Sequence, residues 1–298
     1  MSYTLPPDLR HETVRVNGIS MHYVTAGSGP LLLLLHGFPD FWYSWRHQLA
    51  PLAKQFTVVA PDQRGYNETE KPGWGYSVDV LVADVVELIA ALGHERALLA
   101  GHDWGGAVAW ATAIARPQRV ERLAVLNIPH PAHFVNQLRR SPRQLLRSAY
   151  MGFFALPTLP ELALSANNYA AIERALRRDL GAAISDEEIA AYKAAISTPG
   201  ALTAGLNWYR AAASRGARGI FADAQTVCTR PTLLLWGDRD AYLGPELFRG
   251  NERFAPDLTT LHVPGAGHWV HQWAPELVTR ELLAFFSGGA TSGPDRLQ

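Results

Sequence analysis

Residues 99–106 read Leu-Ala-Gly-His-Asp-Trp-Gly-Gly. The apolar run 97–100 has the character of a buried strand, and 107–115 has that of a helix. Between them, Gly101 and Gly105 flank Asp103. A strand–turn–helix reversal of this kind lifts one side chain above the sheet edge, and small flanking residues let helix and strand pass closely. The lifted side chain here is Asp103. A carboxylate has no proton to give up, so it needs no base to become a nucleophile, and it can attack carbon to form an ester. The plainer use of an aspartate before a helix is as an N-cap that accepts orphan backbone amides. The glycine frame and the rest of the chain favour the nucleophile. That chemistry opens a carbon–oxygen or carbon–halogen bond, and a serine acyl-transfer enzyme is disfavoured because the chain contains no Gly-x-Ser-x-Gly.

The surroundings predict where such an elbow sits. Segments 13–16 and 20–25 flank Asn17-Gly18, a hairpin signal. Strand character recurs at 31–35, 57–60, 97–100, 123–126, 232–236 and 258–263, with helical patterns at 45–52, 79–92, 245–254 and 274–286. Strands alternating with helices argue for an α/β fold with a mostly parallel central sheet flanked by helices. From 132 to 222 the alternation stops, and Ala, Arg and Leu recur at helical spacing with no convincing strand. The expectation is a core in two parts, 1–131 and 223–286, an inserted helical cap at 132–222, and a frayed tail at 287–298.

Composition narrows the partners. Of the 298 residues, 48% are hydrophobic and 18% charged, and the net charge is zero, so neither a basic field for nucleic acid nor an acidic tail is present. The longest pure apolar run, 31–35, is too short to span a bilayer. The start lacks a basic-then-apolar leader pattern and Cys228 is the single cysteine, so the expected setting is cytoplasmic. Nothing in the sequence indicates oligomeric state.

Catalytic partners for an elbow of this type follow in chain order nucleophile, acid, histidine. Asp103, Asp240 and His268 obey that order, and each falls just past a predicted strand end, where ligands of such sheets bind. His268 sits in a Gly-x-Gly-His turn and would activate water; Asp240 would orient its imidazole. His94, His262 and His271 read as surface or packing residues. Asp238 is the competing acid, with turn-shaping as its alternative use. The position after 126 offers only Asn127, which favours Asp240. Backbone amides of Phe38 and Trp104 would form the oxyanion hole. No other group of histidines and carboxylates has zinc-type spacing, and neither a metal nor an organic cofactor is expected.

With those residues placed, the chain resembles an epoxide hydrolase of the α/β-hydrolase superfamily over nearly its whole length. His36-Gly37-Phe38-Pro39-Asp40-Phe41-Trp42-Tyr43-Ser44-Trp45-Arg46 resembles the oxyanion-loop motif, Gly101-His102-Asp103-Trp104-Gly105-Gly106 the nucleophile motif, and Gly267-His268-Trp269 the histidine turn. The resemblance implies two cap tyrosines that hold and protonate an epoxide oxygen. Leu206-Asn207-Trp208-Tyr209-Arg210 points to Tyr209. Tyr150, followed by Phe153, Phe154 and Pro157, points to itself, with Tyr169 as the fallback. The expected substrate is a small apolar epoxide, attacked together with water, and Trp42, Phe153 and Trp208 are candidates to line its pocket. The same motifs occur in haloalkane dehalogenases. Those would need a halide cradle in the oxyanion loop, where Phe38 offers no side-chain donor. A non-catalytic binder on the same fold is the third reading, and it sits poorly with an intact triad.

Overall fold

The computed structural model describes residues 4–214 and 226–289. Strands β1 (Arg10–Val16) and β2 (Ile19–Ala26) form the expected hairpin. Its turn residues, Asn17 and Gly18, take positive φ values of 45° and 79°. Asn17 also ties the hairpin to its neighbours, donating through Nδ2 to Asp84 Oδ1 at 2.7 Å.

The remaining strands are β3 (Leu31–Leu35), β4 (Thr57–Pro61), β5 (Ala97–His102), β6 (Val120–Leu126), β7 (Thr232–Gly237) and β8 (Leu258–Val263). They join the hairpin in one eight-stranded sheet ordered β1-β2-β4-β3-β5-β6-β7-β8. The hairpin strands run antiparallel and all pairs from β4 to β8 are parallel. Central strands buried on both faces must be apolar throughout, and the five leucines of β3 are all buried. Each contributes about 1.5–3 kcal/mol relative to exposure.

Helices α1 (Arg46–Leu52), α2 (Val78–Ala91) and α3 (Trp104–Ala115) follow β3, β4 and β5. The chain builds outward from β3 to β4 on one side, then crosses to β5 on the other. Between β3 and β5 the strand order therefore reverses, and the loops after those two strands open a crevice at their carboxyl ends. Leu35 pairs with Gly101, so both strands end level and deliver residues 36–38 beside Asp103.

Between β6 and β7 the described residues contribute only helices: α4 (Pro131–Arg140), α5 (Pro142–Arg147), α6 (Ala149–Phe154), α7 (Leu159–Leu180), α8 (Asp186–Ser197) and α9 (Ala201–Ala213). Residues 215–225 of the expected cap and 290–298 of the expected tail lie outside the described residues. α7 is broken at 166–169, where Asn167, Asn168 and Tyr169 take positive φ. A buried ion pair between Arg46 of α1 and Glu188 of α8 fastens the insertion to the sheet, and Arg46 also donates to Gln272 Oε1 at 2.9 Å. Gln272 in turn donates to the Tyr192 hydroxyl of α8 at 2.9 Å.

After β7, the helix expected at 245–254 is instead two single 3-10 turns, Pro245–Leu247 and Asn251–Arg253. Gly250 separates them at φ 95°, and the Asn251 side chain donates to the carbonyls of Leu247 and Phe248. That local pinch ends the helix. The pattern at 274–286 forms α11 (Pro275–Phe286), preceded by the short α10 (Val270–Trp273). Among the described residues, no helix is long and apolar enough to cross a membrane.

The close approach of α3 to the sheet makes one prediction. A Cβ on Gly105 would lie 2.2 Å from the Leu35 carbonyl oxygen and 2.4 Å from that of His36. Gly105→Ala raises intrinsic helix propensity, yet it is expected to destabilise the protein by about 1–3 kcal/mol through overpacking. Urea denaturation measures this, and an unchanged or raised midpoint would contradict the packing described.

Candidate active site

Asp103 sits between β5 and α3 with φ 51° and ψ −124°, a conformation that a non-glycine residue adopts only when its surroundings impose it. What imposes it is crowding. A Cβ on Gly101 would meet Gly105, and one on Gly37 would lie 2.4 Å from the Asp103 Cβ. The carboxylate makes no capping bond to α3. Instead Oδ1 accepts a hydrogen bond from the Phe38 amide at 3.0 Å, and Oδ2 lies 3.5 Å from His268 Nε2. This geometry separates the two uses of Asp103 considered above, because the side chain faces the crevice and not the helix. Trp104, at the first position of α3, carries one of the helix's orphan amides.

His268 follows β8 and is almost fully buried. Its Nδ1 is 2.7 Å from Asp240 Oδ2. Asp240 follows β7, and its Oδ1 accepts from the amides of Tyr242 and Leu243 at 2.7 and 2.9 Å. The competing Asp238 accepts from the Gly265 amide at 2.8 Å and so shapes the turn before the histidine. Asn127, which follows β6, donates to Asp240 Oδ2 at 2.8 Å and accepts from the Gly237 amide at 3.1 Å. It braces the acid from the end of β6, the strand end that offers no carboxylate. Asp179 of α7 accepts from the amides of His268 and Trp269 at 2.8 and 3.0 Å, and a Cβ on Gly267 would collide with it. The inserted helices therefore help to hold the histidine turn.

Electrostatics follow from this packing. Burial works to lower the His268 pKa, but the charges and hydrogen bonds of Asp240 and Asp103 prevail and hold it well above the ordinary value. Burial likewise works to raise Asp103 and Asp240, and the imidazolium keeps both below the usual carboxylate range. The resting site is thus an anion–cation–anion row.

Opposite Asp103 stand Tyr150 of α6 and Tyr209 of α9, with ring centroids 6.2 Å apart. Burial and the nearby Asp103 charge push both phenols well above their ordinary pKa, so both keep their protons. The Phe38 and Trp104 rings pack edge-on to Tyr209 at 5.6 and 5.2 Å. Two cavities meet here. One of about 450 Å³ runs past Ile128, Phe134, Leu138 and Met151; the other, of about 160 Å³, runs past Phe154, Leu164, Ile172 and Tyr242. Asp103, Tyr150 and Tyr209 line both.

Seven expected site residues thus come together: Asp103, His268, Asp240, Phe38, Trp104, Tyr150 and Tyr209. The three pocket candidates do not join them. Trp42 packs edge-on against His11 of the hairpin at 5.3 Å, and Trp208 lies beneath Trp104 with its indole N–H on the Arg64 carbonyl. Phe153 is 38% exposed, and its neighbour Phe154 lines the smaller cavity, one helical turn after Tyr150. Tyr169 lines neither cavity.

Behind His268, the fold gathers Asp40, His102 and His271, all buried, with possible ligand atoms within 4.8 Å of one another. No short-range spacing announces this set. Asp40 accepts from the Trp269 indole at 2.9 Å and from Ser44, whose hydroxyl is 2.7 Å from His271 Nε2, while Nδ1 of His102 and of His271 are buried without a hydrogen-bond partner among the described residues. His102 Nε2 is 2.9 Å from the His268 carbonyl. Burial holds His271 neutral, well below its ordinary pKa. The group reads as a hydrogen-bond network that seats the histidine turn. His271 thereby takes the packing role expected of it.

The row of charges predicts a measurable shift. Asp103→Asn removes one of the two carboxylates that raise His268, so the imidazole pKa should fall. Titration of the labelled histidines by NMR reports it. An unshifted His268 would contradict the coupling.

Comparison with known proteins agrees with this geometry. A family described as alpha/beta hydrolase fold matches residues 30–275. The AB hydrolase superfamily protein YfhM of Bacillus subtilis is 41% identical over 278 residues, covering 91% of this chain and 96% of that protein. Epoxide hydrolase 4 of Mus musculus is 37% identical over 286 residues, covering 91% and 77%. The crystal structure of an epoxide hydrolase from Bacillus megaterium in complex with an inhibitor superposes with a TM-score of 0.85 at 31% identity, covering 93% of this chain and all of the other. An elbow that presents aspartate, a sheet that reverses beside it and relatives of this kind agree: the chain belongs to the epoxide hydrolase family of the α/β-hydrolase superfamily.

Proposed function

We propose that this protein hydrolyses an apolar epoxide to a vicinal diol through a covalent ester on Asp103. The observation that carries the reading is the facing of a buried carboxylate and two protonated phenols across the wall shared by two apolar cavities. An epoxide needs this pairing, a nucleophile behind the carbon and an acid at the oxygen.

The oxygen of the substrate rests between the hydroxyls of Tyr150 and Tyr209, and its two substituents lie in the two cavities. An Asp103 oxygen attacks one ring carbon from the back face while the carbon–oxygen bond breaks, and a tyrosine protonates the departing alkoxide. The esterified Asp103 has lost its charge, so His268 loses one of the two partners that hold it protonated. Its pKa falls and it gives up a proton, which returns to the tyrosinate and restores the phenol. The neutral imidazole, oriented by Asp240, then takes a proton from water as the water attacks the ester carbonyl. The Phe38 and Trp104 amides receive the oxyanion. Collapse expels the diol oxygen, which takes the proton from His268; water's second proton, left on the Asp103 carboxyl, then passes to His268, and the resting carboxylate and imidazolium return. Asn127 and Asp179 act as positioning residues for Asp240 and for the histidine turn.

The relatives named as epoxide hydrolases and the absence of a side-chain donor at Phe38 favour this substrate over a haloalkane. The single cysteine, Cys228, is buried and has no second cysteine to pair with, which supports a reducing, cytoplasmic setting.

The test sets purified protein against styrene oxide, an aliphatic terminal epoxide, a chloroalkane and a bromoalkane, scoring diol and halide. Diol without halide is expected. Tyr150→Phe and Tyr209→Phe should each slow ring opening, and the double variant should lose about 10²–10⁴-fold, the range of general acid catalysis. Halide release without diol would contradict the proposal, as would full activity in the double variant.

A further inference from the structure

Nine large hydrophobic side chains are exposed among the described residues, and six of them, Leu145, Leu146, Phe153, Leu156, Leu159 and Leu162, fall within 145–162. Single exposed hydrophobics are ordinary, but six within eighteen consecutive residues make this segment a candidate interaction surface. These six span α5, α6, the turn after it and the start of α7, with Leu146 at 77% and Leu162 at 63% exposure. Nothing within the described chain covers them.

The charge of the same segment is one-sided. Although the whole chain is neutral, residues 132–163 carry four arginines, Arg139, Arg140, Arg143 and Arg147, and one acid, Glu161. Glu161 is bound by Arg210 at 2.8 Å, and Arg147 lies 3.9 Å from Glu246. Arg139, Arg140 and Arg143 have no ion-pair partner among the described residues. The larger cavity takes Leu138 and Arg139 from α4 and Met151 and Gly152 from α6, so part of its wall belongs to this same stretch of chain.

We propose that this face docks on the surface of an anionic lipid bilayer, with the leucines and Phe153 in the headgroup–acyl boundary and the arginines on lipid phosphates. Exposed apolar side chains rimmed by cations are the composition that binds such surfaces. A symmetric pairing with a second copy would set arginines against arginines, which disfavours that occupant. An apolar cavity walled in part by the same stretch of chain favours lipid over a protein partner, because an apolar epoxide concentrates in a bilayer. That last point rests on the proposed function; the docking itself does not.

The full-length protein is sedimented with phosphatidylcholine vesicles, with and without phosphatidylglycerol. Co-sedimentation should be about ten-fold greater or more with the anionic lipid and should fall as salt is added. Leu146→Glu/Leu162→Glu and Arg140→Glu/Arg143→Glu should each abolish it, while thermal unfolding and hydrolysis of a water-dissolved epoxide stay unchanged. Absence of vesicle binding in the parent protein overturns the proposal, as does binding that both double variants retain. So does a parent dimer that the leucine variant converts to monomer without any vesicle binding, since the patch is then a subunit interface. Vesicle binding is read without turnover, so an inactive protein would sink the functional reading and leave this one standing.

Discussion

The site depends on one crowded crossing, where α3 passes over the ends of β3 and β5. Gly37, Gly101 and Gly105 each hold a backbone so close to a neighbour that no side chain fits. In return, Asp103 is forced to φ 51° and its carboxylate stands free of the helix it precedes. The strain is local and is held by the sheet, since the reversal of strand order brings the loop after β3 alongside. Without that crossing, Asp103 would be an ordinary helix cap, and the Phe38 amide would have nothing to donate to.

A second consequence is electrostatic. The two carboxylates and one imidazole are each buried, and burial alone would neutralise all three. They stay charged because each has its opposite within 3.5 Å. Such a row changes its proton affinity when one member changes charge. In the proposed reaction, esterification of Asp103 would be that change, and the histidine would become a base at the step that needs one. The phenols respond in the opposite sense: while Asp103 is an anion they are held protonated, ready to donate. Both effects need a dry site, and the inserted helices supply it by placing Tyr150, Tyr209 and Asp179 over the crevice.

Local pattern in the sequence was enough to read the elbow, the strand order's parallel character, the hairpin and the convergence of Asp103, Asp240 and His268, because glycine spacing, leucine runs and strand-end positions are short-range signals. Side-chain direction was less legible. Phe153 and Phe154 are adjacent on a six-residue helix, too short for its apolar phase to be fixed by pattern. Trp208 and Tyr209 are likewise adjacent on α9; one meets the Arg64 carbonyl and the other faces Asp103. Trp42 was a candidate to line the pocket, yet it packs edge-on against His11 of the hairpin. Least legible were Asn127 and Asp179, whose partners lie 113 and 89 residues away. Such contacts exist only once the sheet and the insertion are assembled. The helix expected at 245–254 gave way to a local pinch, in which the Asn251 side chain donates to the carbonyls of Leu247 and Phe248.

The central claim is that Asp103, and not water, attacks the substrate. A single turnover in ¹⁸O-labelled water, with protein in excess over styrene oxide, tests it directly. If the ester forms and water attacks its carbonyl, the new diol oxygen comes from Asp103. The first diol is then unlabelled, and the label appears in the peptide that contains Asp103. Label in the diol of the first turnover, with none in the peptide, would mean direct attack by water and would contradict the account.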